Sequence, residues 1–175
     1  MTTYLLGDSH LAHLGDRVAE LVDRLGDAVV DLAVAGSTVD ALSAQVADHD
    51  VLPGDRLVVS IGTNDADPAR GLPLTEYGER VDAFVAAHPG CRWVYVASPG
   101  ADHDLDGGWT RAAISAYGDR AAVAILAAGG RVLDTPALLE PLGPARWTPD
   151  GFHLTPAAYD LLVPALARLL SEGTP

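Results

Sequence analysis

The chain has 175 residues and 49% hydrophobic content, enough for one domain with a substantial core, and nothing in it reads as disordered, collagenous or repetitive. Its formal charge is −13, from 11 basic residues, all of them arginine, against 24 acidic ones. Such a field repels phosphate backbones and anionic lipid surfaces, so it argues against nucleic-acid and membrane partners and suits a neutral or cationic small molecule.

Apolar runs alternate with helical patterns from end to end. Residues 3–6 read as a strand. Residues 10–25 read as an amphipathic helix with Leu11, Leu14, Val18, Leu21, Val22 and Leu25 inward, stopped by Gly26. A second strand is expected over 28–34 and a second helix over 38–48. The turn Pro53-Gly54-Asp55 leads into a third strand at 57–61. A helix near 75–87, stopped by Pro89-Gly90, precedes a fourth strand at 93–97. The only cysteine, Cys91, rules out an intramolecular disulfide framework, and its place at the start of that strand suits a small core residue. A Gly- and Asp-rich loop leads to a long helix near 109–128, ended by Gly129-Gly130, and then to a short fifth strand at 131–133. A proline-punctuated loop runs to about 154. Thr155 as N-cap and Pro156 at the first position open the last helix, which Pro164 is expected to kink or split.

This alternation indicates an α/β fold, a five-stranded parallel sheet with helices on both faces and no linker, hence a single domain over 1–175. The expected doubly wound order is 2-1-3-4-5. In that order strand 1 lies between strands 2 and 3, and ligands bind at the carboxyl ends where the winding reverses. The residues found there are Ser9 after strand 1, Gly36 after strand 2, and Gly62-Thr63-Asn64-Asp65 after strand 3. With neighbouring strands about 4.8 Å apart, the three loops share one site.

Each residue type has a chemical use at that site. Ser9, at a strand-to-helix junction, is a candidate nucleophile, although Gly7-Asp8-Ser9 is also an ordinary turn with a capping serine. Gly36, without a Cβ, lets its N–H approach a ligand, or simply turns the chain. Asn64 offers an NH2 donor to an oxyanion beside the Ser9 amide, or caps the next segment. Right-handed crossovers put the first and last helices side by side, so His153, just before the last helix, is brought toward Ser9. Asp150, in Asp150-Gly151-Phe152-His153, can accept the imidazole Nδ1–H and fix its tautomer. His103, after strand 4, is the rival base. His13, one helical turn past the serine, and His49 and His88, at helix ends, compete poorly. His10 is a candidate substrate contact or a structural side chain. Trp109 and Trp147, beside the loops over the site, line an acyl or alcohol pocket or merely pack.

Taken together, Gly7-Asp8-Ser9, Gly36, Gly62-Thr63-Asn64-Asp65 and Asp150-Gly151-Phe152-His153 resemble the SGNH (GDSL-type) serine hydrolases, with the four blocks in the family's order. The resemblance implies a three-layer α/β/α sandwich and hydrolysis of esters or thioesters without a cofactor. By position, Ser9 corresponds to the nucleophile, His153 to the base and Asp150 to its partner, while Gly36 and Asn64 join the Ser9 amide as oxyanion donors. His10 departs from the apolar residue that often follows Gly-Asp-Ser in the family. The absence of a Gly-x-Ser-x-Gly elbow separates the chain from the α/β-hydrolases.

The expected reaction is cleavage of a small soluble acyl ester or thioester through an acyl-enzyme. An acyltransferase of the same fold is the alternative, and a noncatalytic doubly wound binding module the remote one. Asp102-x-Asp104-x-Asp106-Gly107 copies half of a calcium loop but lacks the closing Glu, and no His or Cys pair has metal-ligand spacing, so neither metal nor cofactor is expected. Without a signal segment or membrane span, a cytoplasmic location is the default expectation. The oligomeric state is open.

Overall fold

The computed structural model describes residues 1–172. Its five strands are β1 (Thr2–Gly7), β2 (Ala28–Asp31), β3 (Arg56–Ser60), β4 (Arg92–Val96) and β5 (Arg131–Leu133), all parallel, in the order β2-β1-β3-β4-β5. Helices α1 (Ser9–Ala12), α2 (Arg17–Leu25), α3 (Leu42–Val46), α4 (Leu74–Ala86), α5 (Arg111–Ala127), α6 (Thr135–Leu139) and α7 (Pro156–Ser171) complete the architecture.

The pleat of the central strands divides the interior into two cores. Leu5, Val58, Val94 and Val96 point to one face, where they meet Leu11, Leu14 and Leu21 of the first helical segment and Leu162, Leu166 and Leu170 of α7. Tyr4, Leu6, Leu57, Val59 and Tyr95 point to the other, against Leu42 of α3, Tyr77, Val81 and Phe84 of α4 and Ile125 of α5. Each such leucine, wholly buried, adds about 1.5–3 kcal/mol relative to an exposed one. Both faces of the sheet are therefore covered, giving three α/β/α layers with the first and last helices on one side.

The sequence reading errs chiefly where short segments bend. The helix expected over 10–25 is interrupted: α1 ends at Ala12 and α2 begins at Arg17, with Gly15 between them at φ 53°. β2 stops at Asp31, although Leu32 N–H and Val34 N–H still reach Leu5 O and Gly7 O. The second helix is a 3-10 turn (Val39–Ala41) followed by α3. The presumed loop before residue 154 contains α6, capped by Asp134, and a 3-10 segment (Glu140–Arg146). Thr155 occupies the N-cap of α7, but its hydroxyl donates to Ala145 O at 2.9 Å instead of capping the helix. Pro164 does not split α7, which runs unbroken with its apolar face in the core.

Candidate active site

Gly7 ends β1 with φ +115°, and a Cβ there would sit 1.8 Å from Ser60 O, so only glycine lets β1 and β3 approach this closely. Both of its backbone groups are bound by one side chain: Gln45 Oε1 accepts from Gly7 N–H at 2.7 Å, and Gln45 Nε2 donates to Gly7 O at 2.9 Å. Asp8 then caps α1, its Oδ1 accepting from His10 N–H at 3.1 Å. Ser9 is the first residue of α1 and 2% exposed, so its N–H has no acceptor within the helix. Because α1 is a single turn, the field at Ser9 comes from local N–H groups rather than from a long macrodipole.

The next two loops are tied to this one. Gly36 has φ +80°, and Arg70 donates to its carbonyl. Asn64 Nδ2 donates to Ser37 O at 3.0 Å, which occupies one amide hydrogen and leaves the second for a ligand. Asp65 Oδ1 accepts from Val39 N–H at 2.9 Å, so adjacent residues after β3 grip the same loop after β2. Burial pushes the Asp65 carboxyl up to about 6, with the hydrogen bond from Val39 N–H opposing and the nearby Asp8 adding to the rise.

On the far side, residues 148–153 form a turn organised by one carboxylate. Asp150 Oδ1 accepts from Thr148 Oγ1 at 2.6 Å and from Phe152 and His153 N–H at 2.9 Å each. Asp150 Oδ2 takes His153 Nδ1 at 2.7 Å. Partial burial raises this carboxyl, but the hydrogen bonds from Thr148, His153 and Phe152 outweigh it and hold it well below the usual range. Gly151 has φ +69°, and a Cβ there would meet His103 Cε1 at 2.6 Å; Asp102 N–H also donates to Gly151 O at 2.8 Å.

Helix α7, which follows this turn, is tied to α1 and α2. Tyr159 Oη donates to His10 O at 3.1 Å, and Arg17 Nη2 donates to Pro156 O at 3.1 Å and to Asp160 at 2.8 Å. The rings of His13 and His153 stand 5.0 Å apart. His153 thus lies beside α1 as its neighbour, and a direct Ser9–His153 hydrogen bond is not formed. His103, the rival base, is exposed and lies against Gly151.

The three side chains expected to touch substrate have different surroundings. His10 is 1% exposed; its Nδ1 lies 3.1 Å from Asp8 Oδ1 and its ring meets Phe152 edge-on, so it is a buried strut and not a free surface. Trp147 is buried in the sheet–α7 core with Arg146 over its ring, which likewise removes it from the site surface. Trp109 is half-buried, donates Nε1–H to Thr63 O at 2.9 Å and meets Phe152 at 4.9 Å. The calcium-like loop serves the backbone: Asp104 Oδ1 accepts from Arg111 N–H at 2.8 Å, and among the described residues no three His, Cys, Asp or Glu side chains converge as metal ligands. No described helix is long and apolar enough to cross a membrane.

Sequence reasoning overlooks Thr148, Gln45, the clamp by Asp65, and Phe152 as the ring joining Trp109, His10 and His153. Only His13 had a local signal, since four residues along a helix returns a side chain to the same face as Ser9.

The profile of the GDSL-like lipase/acylhydrolase family matches residues 4–161, and the chain belongs to that family. Ester hydrolysis is accordingly its general class of reaction. Solved structures repeat the fold. A lipase/acylhydrolase from Enterococcus faecalis superposes with a TM-score of 0.81 at 21% identity, covering 98% of this chain and 96% of its own. Axe2, an acetylxylan esterase from Geobacillus stearothermophilus, gives 0.74 at 19% identity, over 98% and 94%. TesA gives 0.70 at 22% identity, over 97% and 98%. A comparison with curated proteins returned no match.

Proposed function

We propose that the protein hydrolyses small carboxylic esters through an acyl-enzyme on Ser9. The carrying observation is the Asp150–His153 pair, 2.7 Å apart, with the His153 ring 5.0 Å from that of His13 at the end of the helix that begins with Ser9. Held by the carboxylate at Nδ1, the imidazole presents Nε2 as a base. It removes the Ser9 proton as Oγ attacks the ester carbonyl. The Ser9 and Gly36 N–H groups and the second Asn64 amide hydrogen serve the resulting oxyanion. The imidazolium then protonates the leaving alcohol, and water repeats the sequence to free the acid. Since ligand-free geometry commonly leaves catalytic hydrogen bonds unclosed, the nucleophile–base contact is expected to tighten with substrate bound.

An open cavity of about 380 Å³ is lined in part by Asp65, Ala66, Leu72 and Tyr117. The acetyl esters named for Axe2 make acetylated sugars a natural class to try beside p-nitrophenyl esters of rising chain length. Ser9→Ala is expected to abolish turnover and labelling by a fluorophosphonate. Labelling and hydrolysis that survive Ser9→Ala would overturn the assignment. Adding alcohol or amine acceptors and analysing products separates hydrolysis from acyl transfer, and acyl-thioester analogues test the thioester range.

A further inference from the structure

We propose that His13 is a positioning residue of the reaction centre: a second imidazole that covers the His153 ring and steadies it for proton transfer with Ser9. The inference rests on the reading of Ser9 and His153 as nucleophile and base.

His13 sits at the C-cap of α1, its N–H donating to Ser9 O at 3.0 Å, so one helical turn fixes it relative to the nucleophile. Its ring centroid stands 5.0 Å from that of His153 with a 46° tilt, inside the range in which aromatic rings attract. The other partners of the His153 ring are Asp150 at Nδ1 and the Phe152 ring, 4.7 Å away at 69°. Its side chain remains 31% exposed, and Asp150 is more exposed still. The base therefore stands at the surface on one hydrogen bond, and a ring carried by the nucleophile's own helix restricts its swing at the point where catalysis needs alignment.

The charges around His13 suit this role. Asp8 and His10 flank it from the start of α1, Asp150 and His153 face it from the turn, and beyond them Arg17 of α2 is paired with Asp160 of α7. Partial desolvation lowers the proton affinity of the His13 ring, which is itself exposed, and the neighbouring His153 and His10 lower it further, against the opposing pull of Asp8 and Asp150. A neutral ring can lie against the imidazolium formed on His153, because an aromatic face tolerates a cation that a second charge would repel.

The test combines kinetics on a p-nitrophenyl ester with NMR titration of the imidazoles. His13→Ala should lower kcat about 3–10-fold, the scale of an aromatic pair, with the melting temperature falling by only about 2–4 °C. KM should stay within about twofold, since substrate contacts are not removed. His13→Phe, which keeps a ring without a titratable group, should recover most of the loss. In the wild type His13 should titrate below the ordinary 6.5, and its midpoint should rise in His153→Gln, where the neighbouring charge is gone. Wild-type kcat in His13→Ala, equal losses in the Ala and Phe variants, or a His13 midpoint indifferent to His153→Gln would each overturn the proposal. Failure of the underlying reading looks different: Ser9→Ala would keep its activity.

Discussion

Asn64 carries two amide hydrogens. One hydrogen is given to Ser37 O, and the other is the donor assigned to the oxyanion. Asn64→Ala should therefore reduce kcat by about 10²–10³, the usual effect of removing one oxyanion donor, as measured by steady-state turnover of an activated ester. Asp150 is the acceptor for its whole turn. Asp150→Asn sets an NH2 group or a weaker acceptor against His153 Nδ1, and kcat should fall by as much as about 10⁴ while the far-ultraviolet spectrum is kept. Asp65 is the residue whose titration reports on the fold. Its folded carboxyl, at about 6, lies above the ordinary 3.8, so the native state binds this proton more tightly than the unfolded chain does. Its contribution to stability is thus fully present below 3.8 and is lost as pH rises through about 6. The loss amounts to about 3 kcal/mol. Asp65→Asn should flatten that part of the stability–pH curve in urea denaturation; an unchanged slope would move its origin elsewhere. Asp150 acts in the opposite sense: its depressed carboxyl stabilises the turn above the ordinary carboxylate range, and that stabilisation fades as pH falls.

The site is built by loops that grip one another at the carboxyl edge of the sheet. Gln45 of α3 binds both backbone groups of Gly7, sharing the carbonyl with Val34 N–H, and also donates to Ser37 Oγ at 3.2 Å. Gln45→Ala leaves two part-buried backbone groups without those bonds and should cost about 1–3 kcal/mol in a urea melt. The same change should slow ester turnover, because Gly7 and Asp8 lead into Ser9. Little of this interlocking is legible in the chain. Strand, helix and strand follow from periodicity, and Ser9, Asn64, Asp150 and His153 stand out by residue type at element ends. Gln45 looks like any polar residue on a short helix, and Thr148 like any loop threonine. Their roles depend on which carbonyl or carboxylate the fold brings within reach. The break between α1 and α2 is hidden for a related reason: Leu11, Leu14, Val18 and Leu21 keep a helical period while Gly15 bends the backbone between them.

For the molecule as a whole, the formal charge of −13 acts on encounter rather than on architecture. A cationic ester should show kcat/KM falling as ionic strength is raised from about 10 mM to about 0.5 M, and an anionic one should show it rising, as screening shortens the reach of the field. A neutral ester is expected to respond to neither. The charge and the alternation of strands and helices that makes a parallel sheet are written in composition and periodicity, because burial of apolar runs and the handedness of crossovers follow from local chemistry. That His13 packs on His153, which side chains sink out of reach, as His10 and Trp147 do, and which hold the loops were decided only when residues distant in the chain packed together. Contact across that separation depends on the depth and tilt of whole elements, and no local stretch of sequence specifies those.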